Sequence, residues 1–467
     1  MLTGAGSAAR ALADAEPRSF WLDSPAAPEP CPALSGDAAC DLAVVGGGFT
    51  GLWTALIAKE RDPGRDVVLL EAREIGWAAS GRNGGFCDAS LTHGLPNGLD
   101  RYPGELARLE RLGLENLDGI ERAIQAYGID CGWERTGTID VATQEWMLAD
   151  LREEERAARE HGHDVELLGE EAMRAEVRSP TYRGGLWRRG RTAIVDPARL
   201  AWGLKRACLA AGVRIHERTP VAALADGGRE LRSPHGRLRA GGVALATSAF
   251  PALVRRVRPY VLPVYDYVLM TEPLSAGQRA AVGWERRQGL GDAGNQFHYY
   301  RLTEDDRILW GGYDAIYHFA NGLRDELDQR PETSLKLAEH FLATFPQLEG
   351  IRFTHAWGGA IDTCARFSAF WGRAHGGRVA WSVGYTGLGV GASRFGARVM
   401  LDLLSGAPTE LTELEMVRTR PLPFPPEPLR SAVVNLTRWS LARADANAGR
   451  RNLWLRTLDR AGLGFDS

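Results

Sequence analysis

Residues 41–85 read DLAVVGGGFTGLWTALIAKERDPGRDVVLLEAREIGWAASGRNGG, and the reading of this stretch decides the fold. Residues 42–45 are uninterrupted apolar, the pattern of a buried strand. They run into Gly46-Gly47-Gly48-Phe49-Thr50-Gly51, a GxGxxG turn. A helix is expected over 52–60, broken by Asp62-Pro63-Gly64, and a second apolar strand, 67–70, ends in Glu71. Gly46 permits a tight turn, Gly48 leaves backbone room for a pyrophosphate, and Gly51 lets the helix lie close on the strand. The helix N-terminus offers unpaired N–H groups and the positive end of its dipole to phosphates. Glu71 stands where a carboxylate accepts hydrogen bonds from the hydroxyls of an adenosine ribose. The plainer alternative is three tight-turn glycines in a chain that has 55. Strand, helix, second strand and acid at their expected offsets favour a dinucleotide site.

NAD and FAD both use such a βαβ unit. The continuation, Ala78-Ala79-Ser80-Gly81-Arg82-Asn83-Gly84-Gly85, is small, polar and rich in free N–H groups. It suits a loop passing under a second part of the same cofactor, for which an NAD enzyme has no evident use. The wording GGGFTGL…LLEAREIGWAASGRNGG resembles the FAD-binding signature of the D-amino-acid oxidase superfamily, which includes glycine oxidase, sarcosine oxidase and the γ-glutamylputrescine oxidases. Ser-Gly-Arg-Asn-Gly-Gly is closest to the last group, which also carries a segment similar to Ser19-Phe20-Trp21 near its start.

The chain's 467 residues call for two cores. The formal net charge of −3 (56 basic, 59 acidic residues) gives no whole-chain pull toward nucleic acid or anionic membrane. Six cysteines without paired spacing fit free thiols, and with no visible targeting or membrane-spanning run a cytoplasmic location is expected. Residues 1–38 read as a mobile lead-in anchored by Phe20-Trp21. Residues 129–141 suggest a strand pair, 237–240 and 243–247 two separate strands, and 297–302 with 307–312 a hairpin. Asp196-Pro197 suits a helix start ending at Gly212. Residues 355–372 suggest strand–turn–strand. Residues 421–428 form a proline-rich linker to a helical, arginine-rich tail, a clamp on the body or an oligomer face, with a basic amphipathic membrane helix as the less supported alternative.

A second glycine-rich turn follows the apolar strand 379–383: Gly384-Tyr385-Thr386-Gly387-Leu388-Gly389-Val390-Gly391. It could be a plain strand–turn–helix packing set, but it resembles the superfamily's C-terminal GYxGxG flavin loop. There the helix N-terminus stabilises negative charge on the reduced flavin. The resemblance implies an α/β fold: a Rossmann-type, glutathione-reductase-like FAD domain (39–100, 190–255, 350–410) interleaved with an α+β substrate domain on a mainly antiparallel sheet (101–189, 256–349), with a tail from 411. It also implies FAD contacts from Gly46, Gly48, Phe49, Thr50, Gly51, Glu71, Ala72, Arg73, Ala79, Ser80, Gly81, Arg82, Asn83, Gly84, Gly85, Val221, Thr247, Gly358, Tyr385, Thr386, Gly387, Leu388, Gly389 and Val390. Some members tether the flavin to a cysteine. Here Gly359 aligns with that position and Cys364 lies only near it, so non-covalent FAD is expected.

No metal-ligand spacing, GxSxG, P-loop or HExxH occurs. A bound flavin does the difficult chemistry, so few protein residues are needed. The implied reaction is oxidation of a primary or secondary amine to an imine, with a hydride passing to flavin N5 and oxygen returning peroxide. The alternatives are a dehydrogenase feeding a quinone or carrier, and a non-catalytic flavoprotein. Tyr265, Tyr267, His298, Tyr299, Trp310 and Tyr313 are candidates for an aromatic substrate chamber, with core packing as the competing role. His298 and His355 are candidate polar contacts. Arg301 and Arg366 could meet a substrate carboxylate, though surface placement is the default for arginine.

Overall fold

Residues 42–45 are apolar on both faces because the strand they finish, Ala38–Val45, lies inside a sheet. In the computed structural model, which describes residues 2–460, 462 and 463, this strand runs parallel between Gly236–Leu245 and Val67–Leu70. Val45 is in register with both Leu245 and Leu70, so the segments that follow each strand emerge at one end of the sheet. Arg214–His216 extends the sheet beyond Val67–Leu70. On the other side Val379–Val383 pairs in parallel with Gly236–Leu245 and carries antiparallel Phe370–Ala374.

Alternation along these strands supplies two cores, as a pleated strand requires. Leu42, Val44, Val67, Leu69 and Ala380 face helices Phe49–Arg61, Pro197–Ala210 and Gly389–Ser405. Ala43, Val45, Val68, Leu70, Val243, Leu245 and Trp381 face the other way, onto Leu34, Leu231, Val254 and Phe370. Helix Pro197–Ala210 starts as its sequence suggests. Asp196 accepts a hydrogen bond from the Arg199 N–H at 2.9 Å, and Pro197 sits in the first turn.

The second sheet has nine strands. Its order is Ile316–Tyr317, Leu262–Thr271, Ile308–Gly312, His298–Leu302, Gly289–Asp292, Thr138–Ala142, Gly184–Arg188 and Val165–Gly169, with Phe353–Thr363 added to Leu262–Thr271. Pairing is antiparallel throughout except between Gly289–Asp292 and Thr138–Ala142. The expected hairpin is present as His298–Leu302 against Ile308–Gly312. One face of this sheet packs through Tyr300 and Trp310 on Phe341 and Phe345, from helix Pro331–Thr344 and its end.

Several local expectations differ. Residues 129–141 yield one strand, Thr138–Ala142, because Gly132 (φ 59°) and Gly137 (φ 73°) turn the chain. The two strands expected over 237–247 are one, Gly236–Leu245, since pairing with Ala38–Val45 runs through Gly242. Phe353–Thr363 and Phe370–Ala374 do not pair with each other. The first joins the second sheet and the second joins the first. The N-terminal stretch is built rather than loose: helix Leu2–Ala11 buries Ala8 and Ala11, and the Glu16 backbone bonds to Thr354 and Ala356. The arginine-rich tail forms helices Leu429–Asp445 and Leu453–Arg460. Asp445 holds it to the body by accepting from the N–H groups of Asn295 and Gln296. Among the described residues, no helix is long and apolar enough to cross a membrane.

Candidate functional site

The turn after Ala38–Val45 is stripped of side chains for steric reasons. A Cβ on Gly46 (φ 110°) would lie 2.3 Å from the Ala246 carbonyl oxygen, one on Gly48 2.9 Å from Ser80 Oγ, and one on Gly51 1.8 Å from the Gly46 carbonyl oxygen. Gly51 thus seats helix Phe49–Arg61 against the strand end. Thr247 follows Ala246 beside this turn, and its carbonyl accepts from the Phe250 N–H. Gly48 has no side chain to cap the helix, and Ser80 Oγ accepts the Phe49 N–H at 3.0 Å.

Glu71 is buried, and burial pushes its carboxyl above the usual range. Its oxygens accept from Gly47 N (2.5 Å), Arg73 N (2.8 Å) and Trp77 Nε1 (3.0 Å). The Thr219 N–H donates to the Glu71 carbonyl, which brings the segment leading to Val221 alongside. Arg73 stacks over Trp77 at 4.1 Å, Arg82 approaches it at 5.4 Å, and Ala72 lies between Glu71 and Arg73.

Residues 79–85 fold back beneath this turn. Asn83 Nδ2 donates to the Ala79 carbonyl, and Asn83 Oδ1 accepts the Gly85 N–H, each at 2.8 Å. The N-terminal anchor grips the same loop. Ser19 Oγ donates to the Gly81 carbonyl (2.8 Å) and Trp21 Nε1 to the Asn83 carbonyl (3.0 Å). From the second sheet, Trp357 Nε1 donates to the Arg82 carbonyl, and Arg82 donates to the Gly358 carbonyl.

The second glycine turn arrives from the far end of the sequence. Gly384 (φ 81°), Thr386 (φ 50°) and Gly387 (φ 90°) reverse the chain into helix Gly389–Ser405, whose N-cap, Leu388, supplies no side-chain cap. Asp362 buttresses it by accepting the Gly384 N–H at 2.6 Å, and burial lifts its carboxyl to about 7. Thr50 Oγ1 donates to Tyr385 Oη at 3.1 Å, joining the two glycine turns. Ser382 Oγ lies 2.6 Å from the same phenol. Val390, in the first turn of the second helix, is buried in the same core as Phe49. Two glycine-rich turns and two helix N-termini thus lie together at one end of the first sheet. This cradle fits a dinucleotide.

The six aromatic candidates do not form one cluster: His298 stacks with Trp310 and Tyr313, and Tyr265 with Tyr267. Tyr299 alone faces the loop: a Cβ on Gly84 would lie 2.6 Å from its ring. Its strand neighbours point away. His298 bonds Asp292 (2.5 Å) and His340 (3.0 Å) and stacks between Trp310 and Tyr313. Trp310 is wholly buried against Phe341. Tyr265 and Tyr267 send their hydroxyls to the carbonyls of Arg324 and Leu327. Those residues flank Asp325 and Asp328, which pair with Arg73 and Arg82. His355 is bound to Asp23 at 3.1 Å.

Neither arginine is a surface charge. Arg366 is buried because its guanidinium donates to the carbonyls of Ser368, Ala369, Met416 and Thr419. Arg301 is buried beside Gly85 with its Nη1 on the Val195 carbonyl, and burial lowers it to about 10. Sequence reasoning missed two carboxylates, Asp362 and Asp266. Asp266 was signalled as the only charged residue in the run YVLPVYDYVLM, 260–270. Among the described residues, no group of three His, Cys, Asp or Glu side chains could hold a metal ion.

Comparison with known proteins agrees with this arrangement. Residues 41–403 match the family described as DAO: FAD dependent oxidoreductase. The chain is 33% identical over 400 residues to a gamma-glutamylputrescine oxidoreductase of Escherichia coli (strain K12), covering 83% of this chain and 89% of the relative. It is 28% identical over 414 residues to a probable oxidoreductase, OrdL, of Haemophilus influenzae, covering 85% and 90%. Among solved structures, glycine oxidase from Geobacillus kaustophilus superposes with a TM-score of 0.68 at 20% identity, over 82% of this chain and all of that one. The chain belongs to the DAO family of FAD-dependent oxidoreductases.

Proposed function

We propose that this flavoprotein oxidises a primary or secondary amine, as a free amine or an amino acid, to the imine, and that oxygen is its electron acceptor. The observation that carries the reading is the Thr50–Tyr385 hydrogen bond, which sets two glycine turns 335 residues apart against each other at the mouth of one sheet. The names of the relatives, gamma-glutamylputrescine oxidoreductase and glycine oxidase, support an amine or amino-acid substrate. We assign the first sheet and its helices to FAD binding and the second sheet to the substrate. Glu71 and the Val221 segment would hold the adenosine end, the helix beginning at Phe49 the pyrophosphate, and residues 79–85 with 385–390 the flavin end.

When bound, FAD accepts the hydride lost from the carbon beside the amine nitrogen. The chain's own residues orient the substrate and exclude water. Ion pairs from Arg73 to Asp325 and from Arg82 to Asp328 hold residues 325–328 over the loop, with Tyr265 and Tyr267 bonded to the same segment. Retention of FAD without a covalent bond is supported by Gly359, which has no nucleophile. Cys364 gives further support: its thiol is buried, pushed up by desolvation, and donated to the carbonyls of Ser368 and Gly384.

The test is an amine and amino-acid panel added anaerobically to the purified yellow protein. Bleaching by an amine, followed on admitting air by one peroxide per turnover, is expected. Acid precipitation should leave the flavin in the supernatant. A colourless protein that takes up no FAD overturns the reading, and bleaching without peroxide on reoxidation points to a carrier instead of oxygen.

A further inference from the structure

One face of the second sheet meets residues 79–85 through Trp357 and Tyr299, with glycines beside them. Gly359 is the direct cross-strand partner of Asp266, and Gly311 is that of Tyr299. Glycine inside a strand marks a place where a ligand or another backbone comes close. A Cβ on Gly359 would meet only Arg82, at 3.5 Å. The ring of Tyr299 covers Gly311, with its Cζ 2.7 Å from where a Cβ would stand. Between these bare positions sits Asp266. Its Oδ2 accepts the Tyr299 hydroxyl at 2.5 Å, and its Oδ1 accepts the Tyr267 N–H at 2.8 Å. Among the described residues, no lysine, arginine or histidine forms an ion pair with it, whereas Asp325, Asp328 and Asp292 nearby each have a cationic or imidazole partner. A carboxylate taken from water needs a compensating charge or hydrogen bonds. This one has hydrogen bonds from the Tyr299 hydroxyl and the backbone N–H groups of Tyr267 and Gly312, and electrostatic attraction to the His298 ring, but no ion-pair partner.

Resting on the proposed amine chemistry, we propose that Asp266, held in place by Tyr299, binds the ammonium group of a cationic substrate, so that the site selects for positively charged amines over neutral molecules of the same shape. Tyr299 fixes the carboxylate from one side, and the absent side chain at Gly359 leaves room beside it that Arg82 borders. Desolvation holds the Asp266 carboxyl up at about 6, the direction expected of an acid that lacks its counter-ion.

The experiment uses two probes of equal shape on the FAD-loaded protein, tert-butylammonium and tert-butanol. The ammonium has no hydrogen on the carbon beside nitrogen, so it binds without being oxidised. Binding is read from the perturbation of the oxidised flavin spectrum. In the wild-type protein the ammonium is expected to bind about tenfold or more tightly than the alcohol. Asp266→Asn, which retains an acceptor for Tyr299, should abolish that preference while leaving the alcohol's affinity unchanged. Asp266→Glu, which keeps the charge, should retain it and guards against a variant that simply misfolds. Equal affinity of the wild-type protein for the two probes overturns the assignment, as does an Asp266→Asn protein that still prefers the cation. These outcomes differ from failure of the amine reading itself, in which no amine bleaches the flavin at all.

Discussion

The two glycine turns share a vocabulary and differ in why they need it. At the first, the missing side chains are a matter of space: added Cβ atoms at Gly46, Gly48 and Gly51 would strike Ala246, Ser80 and the backbone of Gly46 itself. At the second, Gly387 has nothing within 4 Å of an added Cβ. It is glycine because φ is +90° there, a conformation that costs other L-residues about 1–2 kcal/mol. The first turn is a packing joint between helix and strand. The second is a conformational reversal, propped by Asp362 and pinned by Tyr385.

Paired substitutions sharpen this difference. Gly51→Ala drives a methyl to 1.8 Å from the Gly46 carbonyl oxygen, so helix Phe49–Arg61 must lift from the strand. Overpacking of backbone against backbone is expected to destabilise the protein by about 3 kcal/mol and to abolish FAD retention. Gly387→Ala should cost about 1 kcal/mol from its positive φ alone and leave flavin content near that of the wild type. Urea midpoints and flavin-to-protein absorbance ratios measure both. Equal losses at the two positions would break the distinction.

The difference also explains what was readable in advance. Glycine spacing reports backbone events, and both turns stand where residues 41–85 and 379–391 place them, although the first helix begins at Phe49, three residues before the expected start, because the turn's own residues enter it. The placement of the aromatic candidates was not readable in the same way. In His298–Leu302 every other residue changes face, and with aromatic residues on both faces the sequence does not say which face meets the loop. Tyr299 does, while His298 and Tyr300 serve the core. The buried arginines were misread for a related reason. Arg366 is satisfied by carbonyls up to 53 residues away, and no local pattern announces that. Asp266 and Asp362 stand alone in their segments and carry no motif. Each gains its meaning only from the strand paired beside it or the turn it caps.

The prop of the second turn gives a pH test. Burial holds the Asp362 carboxyl near 7, above the roughly 3.9 of an unfolded aspartate. The folded chain therefore binds this proton more tightly than the unfolded chain. Its stabilising contribution is complete below about pH 4 and is lost as the pH rises through 7. Asp362→Asn keeps an acceptor for the Gly384 N–H but cannot ionise. The decline in unfolding free energy between pH 5 and pH 8, measured by urea titration, should shrink by about 2.5 kcal/mol in this variant. An unchanged decline would show that the second turn is not held by a protonated carboxyl.

The smallest expected effect tests whether the two turns are one unit. Thr50 Oγ1 and Tyr385 Oη are both buried, and removing either leaves the other to Ser382 or to the Thr50 helix. Thr50→Val and Tyr385→Phe should each destabilise by about 1 kcal/mol, the usual net worth of one hydrogen bond. If the turns cooperate, the double variant should lose less than the sum, with a coupling of about 0.5–1 kcal/mol. A joint spanning both turns must also register in the cofactor, so the FAD dissociation constant should show the same non-additivity. Strict additivity in both readouts would mean that the turns are merely neighbours. The contact that carries the functional reading would then be incidental to it.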